Sequence, residues 1–132
     1  MSVLPHAQAW STAGDEIGVL LLHGFTGSPK SVTPWGKSLK QSGWTIQVPR
    51  LPGHGTRWQD MNKTTWQDWY GEAKRSFDEL AGSCSTVFVM GLSMGGSLTL
   101  RLAQEHGSDI AGIVLVNPAV HSERRDRFLL PA

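Results

Sequence analysis

The chain has little with which to staple, charge or anchor itself. It carries one cysteine, Cys84, in 132 residues, so an internal disulfide is excluded. That residue sits in Gly82-Ser83-Cys84-Ser85 with no basic neighbour to favour the thiolate, which reads as a spectator thiol rather than a second nucleophile. Charged residues are only 17 % of the chain, with 12 basic against 11 acidic and a net charge of +1. Such a balance gives no footprint for nucleic acid or an anionic membrane. The one basic cluster, Arg124, Arg125 and Arg127, is diluted by Glu123 and Asp126 and reads as a solvated face or loop. No apolar run approaches membrane-spanning length, and Met1 to Trp10 lacks a basic stretch followed by an apolar core. Neither a secretory leader nor a stable membrane anchor is expected, and a reducing cytoplasm is the default location. Histidines at metal-ligand spacing are also missing, so no metal and no cofactor are expected. Hydrophobic content of 39 % suits a folded chain, and residues 1–132 are read as part of a single domain.

What is present is an alternation of strand and helix signals. Ile17 to His23 is a nearly unbroken apolar run, the pattern of a strand buried on both faces of a parallel sheet. Trp44 to Val48, Val87 to Met90 and Ile110 to Val116 are three further strand candidates. A helix is expected around Pro34 to Gln41, with Thr33 as N-cap and Gly43 as the stop. A longer one is expected over Thr65 to Leu80, where Trp66, Trp69, Tyr70, Ala73 and Phe77 recur at spacings of three and four. The last runs from Ser97 to His106 and stops at Gly107. Trp35, Trp58, Trp66 and Trp69 are assigned to core packing, the usual fate of aromatics at helical spacing. The alternation predicts an α/β fold, a parallel sheet with helices on both faces.

Such sheets bind ligands at the carboxyl ends of their strands, where strand order reverses. Three suggestive loops fall there: His23-Gly24-Phe25-Thr26-Gly27, Leu51-Pro52-Gly53-His54-Gly55 and Gly91-Leu92-Ser93-Met94-Gly95. The last is a G-x-S-x-G pattern between a strand and a helix, the context of a nucleophile elbow. In a chain with 15 glycines the pattern alone would equally suit a turn without chemistry, so its flanks carry the reading. Ser93 is the candidate nucleophile. Its oxyanion donors would be the backbone N–H groups of Met94 and of Phe25.

A serine needs a general base, and none within the chain is convincing. His23 precedes Ser93, ends a buried strand and reads as a structural hydrogen-bonder. With Gly24 and His54 it is kept as a candidate for pocket lining, although a loop role suits His54 better. His106 belongs to a helix C-terminus, and His6 to an N-terminal segment with little to hold it. Asp109 and His121 have the right chain order, but Asp109 starts a strand at the wrong edge of the sheet.

These residues resemble the α/β-hydrolase family, and within it the bacterial carboxylesterases and monoacylglycerol lipases with a short lid. The likeness rests on Gly18 to Pro29 (GVLLLHGFTGSP), on Pro52-Gly53-His54-Gly55 and on Gly91 to Gly96, and runs from about Ile17 to Pro118. It implies a serine hydrolase of short- or medium-chain acyl esters or monoacylglycerols, acting through an acyl-enzyme on Ser93. Thioesterase or acyltransferase chemistry on the same elbow, or a ligand-binding module without catalysis, stays open. Family members continue past this point into a lid and strands bearing the triad acid and histidine. The resemblance therefore implies a chain truncated before those parts. Acid and base would lie outside residues 1–132, the isolated chain would be inactive, and it would pair with the missing half or self-associate.

Overall fold

The computed structural model describes residues 2–119. Five strands form one sheet: β1 (Trp10–Thr12), β2 (Ile17–Leu22), β3 (Thr45–Val48), β4 (Thr86–Leu92) and β5 (Gly112–Val116), in the spatial order β1-β3-β2-β4-β5. The pairs β2–β3, β2–β4 and β4–β5 are parallel, as the sequence predicts. β1 was not anticipated: it adds an antiparallel edge, with Trp10 opposite Val48, and makes the sheet mixed. Three residues are too few to show an alternation.

The helices are α1 (Thr33–Leu39), α2 (Trp58–Met61), α3 (Trp66–Ser83) and α4 (Met94–His106). α1 starts a residue earlier than expected, because the Thr33 hydroxyl donates to the carbonyl of Pro29 at 2.7 Å and so sits inside the helix instead of capping it. α3 opens with a capping box, in which the Thr65 N–H donates to the Asp68 carboxylate at 2.9 Å. α4 ends at Gly107, whose φ of +50° disfavours any other residue.

The alternation along the strands divides the core in two. Leu20 and Leu22 of β2, with Val87 and Val89 of β4, pack against Trp69, Ala73, Phe77 and Leu80 of α3 and Leu98 and Leu102 of α4. Val19 and Leu21 face the other way, toward Ile46 and Val48 of β3, with Trp35 and Leu39 of α1 packed beside them. Complete burial of each of the Val, Leu, Ile and Phe side chains among them contributes about 1.5–3 kcal/mol. α1 thus covers one face while α3 and α4 cover the other, which is what right-handed crossovers require when strand order reverses at β2.

One sequence expectation about packing fails. Trp58 and Trp66 are 66 % and 50 % exposed: Trp58 lies in the four-residue α2, and Trp66 is the first residue of α3, ahead of the stripe formed by Trp69, Ala73 and Phe77. At the sheet edge, Ile113 and Val114 of β5 remain 37 % and 46 % exposed. His121, Asp126 and the cluster Arg124, Arg125 and Arg127 lie outside the described residues.

Candidate active site

Strand order reverses between β2 and β4, and their register sets Leu22 opposite Gly91. The loops that follow these two strands are therefore neighbours. A Cβ built on Gly24 would stand 3.2 Å from the Ser93 Cβ and 3.8 Å from its Oγ. The first and third loops of the sequence argument meet at the switch point of the sheet, where α/β folds bind their ligands.

Ser93 occupies a sharp turn between β4 and α4. Its backbone is at φ 55° and ψ −117°, in a region that L-residues rarely visit, and its side chain is exposed. The turn is held from three sides. The Ser93 N–H donates to the Val116 carbonyl at 2.9 Å, while the Ser93 carbonyl accepts from Gly96 at 2.9 Å and from Ala119 at 3.2 Å. The turn also demands glycine beside it. A Cβ on Gly91 would lie 2.2 Å from the Gly95 carbonyl oxygen, and one on Gly95 would lie 2.2 Å from that of Leu22. α4 begins at Met94, three residues before the sequence-predicted start. The helix N-terminus, with its unpaired N–H groups and positive dipole end, consequently opens directly beside the Ser93 hydroxyl.

The loop after β2 is a tight turn in which the Gly27 N–H donates to the Gly24 carbonyl at 3.1 Å, with Thr26 at φ +63°. That bond leaves the Phe25 N–H out of the turn's own pairing. The Phe25 ring packs against Trp69, with centroids 5.5 Å apart, and against His54 at 5.8 Å.

His23 and His54 are both fully buried, with 0 % and 1 % exposure. The His23 Nε2 accepts from the Leu51 N–H at 3.0 Å, which assigns the proton to Nδ1, 3.0 Å from the Gly24 carbonyl that accepts it. Burial pushes the His23 pKa down to about 4, with the Gly24 bond opposing and the fields of His54 and Arg50 assisting. His54 Nδ1 donates to the Pro52 carbonyl at 3.1 Å, and among the described residues its Nε2 has no partner. Its pKa is also lowered, mainly by burial. Pro52 accepts a second bond from the Trp69 indole at 3.1 Å. The second loop thus joins the site from beneath, as support for the first. Neither imidazole is in open solvent, a burial that the Gly-flanked sequence around His54 did not signal.

Sequence reasoning also missed how the N-terminal segment is held. Leu4 donates from its N–H to the Gly55 carbonyl at 2.7 Å, and Ala7 is buried with its Cβ against Gly55. His6 therefore stands on an anchored turn, at φ +71°. Asp109 lies where expected, at the amino end of β5, away from Ser93. His106 ends α4 and stacks on Phe77 with centroids 4.5 Å apart. Among the described residues no group of three or more His, Cys, Asp or Glu is placed to hold a metal, and no helix is long and apolar enough to cross a membrane.

Residues 16–131 match the Hydrolase_4 family, described as serine aminopeptidase, S33. A thermostable monoacylglycerol lipase from Bacillus sp. (strain H-257) is 48 % identical over 118 residues, covering 89 % of this chain and 47 % of the lipase. A carboxylesterase from Bacillus subtilis (strain 168) is 32 % identical over 109 residues, covering 82 % and 44 %. A solved structure described under "LipS and LipT, two metagenome-derived lipolytic enzymes" superposes with a TM-score of 0.92 at 39 % identity, covering 95 % of this chain and 51 % of that one. The chain thus spans about half the length of the relatives it matches. With its sheet order, its strained serine turn and this family match, the chain belongs to the α/β-hydrolase family.

Proposed function

We propose that residues 1–132 carry the nucleophile half of a carboxylic-ester hydrolase acting on short- or medium-chain acyl esters or monoacylglycerols. The observation that carries this reading is the exposed, strained Ser93 at the mouth of α4, within van der Waals reach of the Gly24 position. The Ser93 Oγ attacks the ester carbonyl carbon, and the alcohol departs to leave an acyl-enzyme, which water then cleaves. The carbonyl oxygen gathers negative charge in each step and accepts hydrogen bonds from the N–H groups of Met94 and Phe25. Each such donor contributes about 3–4 kcal/mol to the transition state. Gly24 lines the approach to the serine, because a Cβ there would press on the Ser93 Cβ and the Leu92 carbonyl. His23 and His54 hold the loops from below.

Neither buried histidine suits the role of base. The Nε2 lone pair of His23 is engaged by Leu51, and a depressed pKa makes this ring a poor proton acceptor. The base and its carboxylate partner are accordingly proposed to come from beyond residues 1–132. Named relatives that are lipases and esterases favour ester over thioester substrates.

The test uses the intact protein with p-nitrophenyl butyrate and a fluorophosphonate probe. Ser93→Ala should lose both turnover and labelling. Unchanged turnover in that variant would remove Ser93 from the mechanism, and a folded protein that resists labelling would favour a ligand-binding module instead.

A further inference from the structure

Next to the turn that carries Phe25, the anchored N-terminal segment borders an open cavity of about 540 Å³ between Leu4, His6, Thr26, Ser28, Lys30 and Thr56. A second groove of about 710 Å³ shares His6 and Lys30 with it and continues to Lys37. Both lie within the size range of small-molecule sites. Ser93 lines neither of them.

Three observations mark this cavity as built for a ligand. Among the described residues four other than glycine have positive φ: Ser93 forms the elbow and Asn117 follows β5, while His6 at 71° and Thr26 at 63° both line this cavity. A β-branched residue in that conformation is a true outlier, and strain of this kind gathers at functional sites. No carboxylate lines the cavity or the groove, and among the described residues Lys30 and Lys37 have no ion-pair partner. Arg57, Lys63, Lys74, Arg75 and Arg101 are paired, on α2, α3, α4 and their flanks, whereas Lys40 and Arg50 share with Lys30 and Lys37 the lack of an ion-pair partner among the described residues. Finally, the Ser28 Oγ accepts from the Lys30 N–H at 3.3 Å, which leaves its own proton free to donate. Ammonium and hydroxyl donors meet the apolar wall of Leu4.

We infer that this cavity and the groove that shares Lys30 with it and reaches Lys37 together bind an anionic head group, a phosphate or carboxylate, on the alcohol side of the ester that Ser93 cleaves. The inference rests on the proposed hydrolase reading for its substrate. The binding itself does not depend on turnover. Lys30 and Lys37 neutralise the head, Ser28 and Thr26 donate to its oxygens, and Leu4 contacts the carbon skeleton. The adjoining turn then presents the ester carbonyl to the Phe25 amide.

Binding is measured on the intact Ser93→Ala protein by titrating glycerol 3-phosphate, inorganic phosphate and glycerol while following the amide resonances of Thr26, Ser28, Lys30 and Thr56. Glycerol 3-phosphate should bind at least about tenfold more tightly than glycerol, and the double variant Lys30→Gln/Lys37→Gln should remove that margin, the fold-change of one lost charge-assisted hydrogen bond. Lys30→Arg/Lys37→Arg should restore it. Equal binding of glycerol and its phosphate, or a margin indifferent to the lysines, overturns the site. Inorganic phosphate binding as tightly as glycerol 3-phosphate overturns the alcohol-side assignment, because the site would then read a free anion. In the active protein, the glutamine variant should raise KM for a 1-acylglycerol 3-phosphate about tenfold and leave KM for the neutral 1-acylglycerol unchanged. A protein that hydrolyses neither ester yet shows the binding margin disproves the hydrolase reading and leaves the site standing.

Discussion

His23 and Leu51 join two loops that are 28 residues apart: the imidazole Nε2 accepts from the Leu51 N–H at 3.0 Å, inside the core. The other ring nitrogen donates to Gly24, so one neutral tautomer fastens the loop after β3 to the loop that carries Phe25. Replacing His23 with Ala strands the buried Leu51 N–H and opens a cavity. The expected loss of stability is about 2–4 kcal/mol, read as a fall in the urea midpoint at pH 7. If the freed loop moves by about 1 Å, kcat/KM for an ester should also fall on the order of a hundredfold.

The same burial sets a pH dependence. His23 titrates near 6.5 when unfolded and near 4 when folded. Between those values the unfolded chain holds a proton that the folded one excludes, so stability rises with pH across this window and is lost as pH falls from 6.5 toward 4. The span amounts to about 3 kcal/mol, and His54, whose pKa is lowered in the same sense, adds to it. Urea melts at pH 4.5 and pH 7 should differ accordingly, and His23→Asn should flatten the difference.

Ser93 holds its φ of 55° at a cost in backbone energy of order 1–3 kcal/mol. Ser93→Gly relieves that cost, offset by the greater chain entropy of glycine in the unfolded state. The variant should melt higher than Ser93→Ala by about 1 kcal/mol equivalent in calorimetry, with ester hydrolysis lost from both. Equal melting temperatures would mean that the turn is unstrained.

How far the sequence could be read depended on length and on what each residue faces. β2 and β4 were legible because uninterrupted apolar runs beside small residues leave few alternatives to a buried parallel strand. β1 and α2, of three and four residues, are too short to repeat a hydrophobic period, and β1 is defined by its pairing with β3 and the packing of Trp10. The start of α4 was placed late since Gly95 and Gly96 have poor helix propensity. Their absent side chains are what allow the helix to abut β2 and β4, so packing overrides propensity there. Ser93 and its two neighbouring loops were visible as motifs. The burial of His54 and the anchoring of His6 were not, because the first arises from packing on His23, Phe25 and Trp69 and the second from Gly55 meeting Leu4 and Ala7, all distant in the chain.

The glycines offer a test in which the same substitution has opposite signs. Gly71 lies in α3, and a Cβ there would meet no atom within 4 Å. Glycine in a helix interior is less favourable than alanine by roughly 0.5–1 kcal/mol, so Gly71→Ala should stabilise the protein by about that amount. Gly95 is also helical, in the first turn of α4, and propensity alone would predict the same gain. Its Cβ, however, would stand 2.2 Å from the Leu22 carbonyl oxygen and 2.7 Å from that of His23, both backbone atoms of the central strand and its extension. Neither can move without shifting the Phe25 loop. Gly95→Ala should therefore cost about 3 kcal/mol, at the upper end for overpacking, and should abolish fluorophosphonate labelling even in the fraction that folds. Denaturant titrations of the two variants side by side check the contrast. A Gly95→Ala protein as stable as Gly71→Ala would show that β2 and α4 do not meet as closely as the serine turn requires.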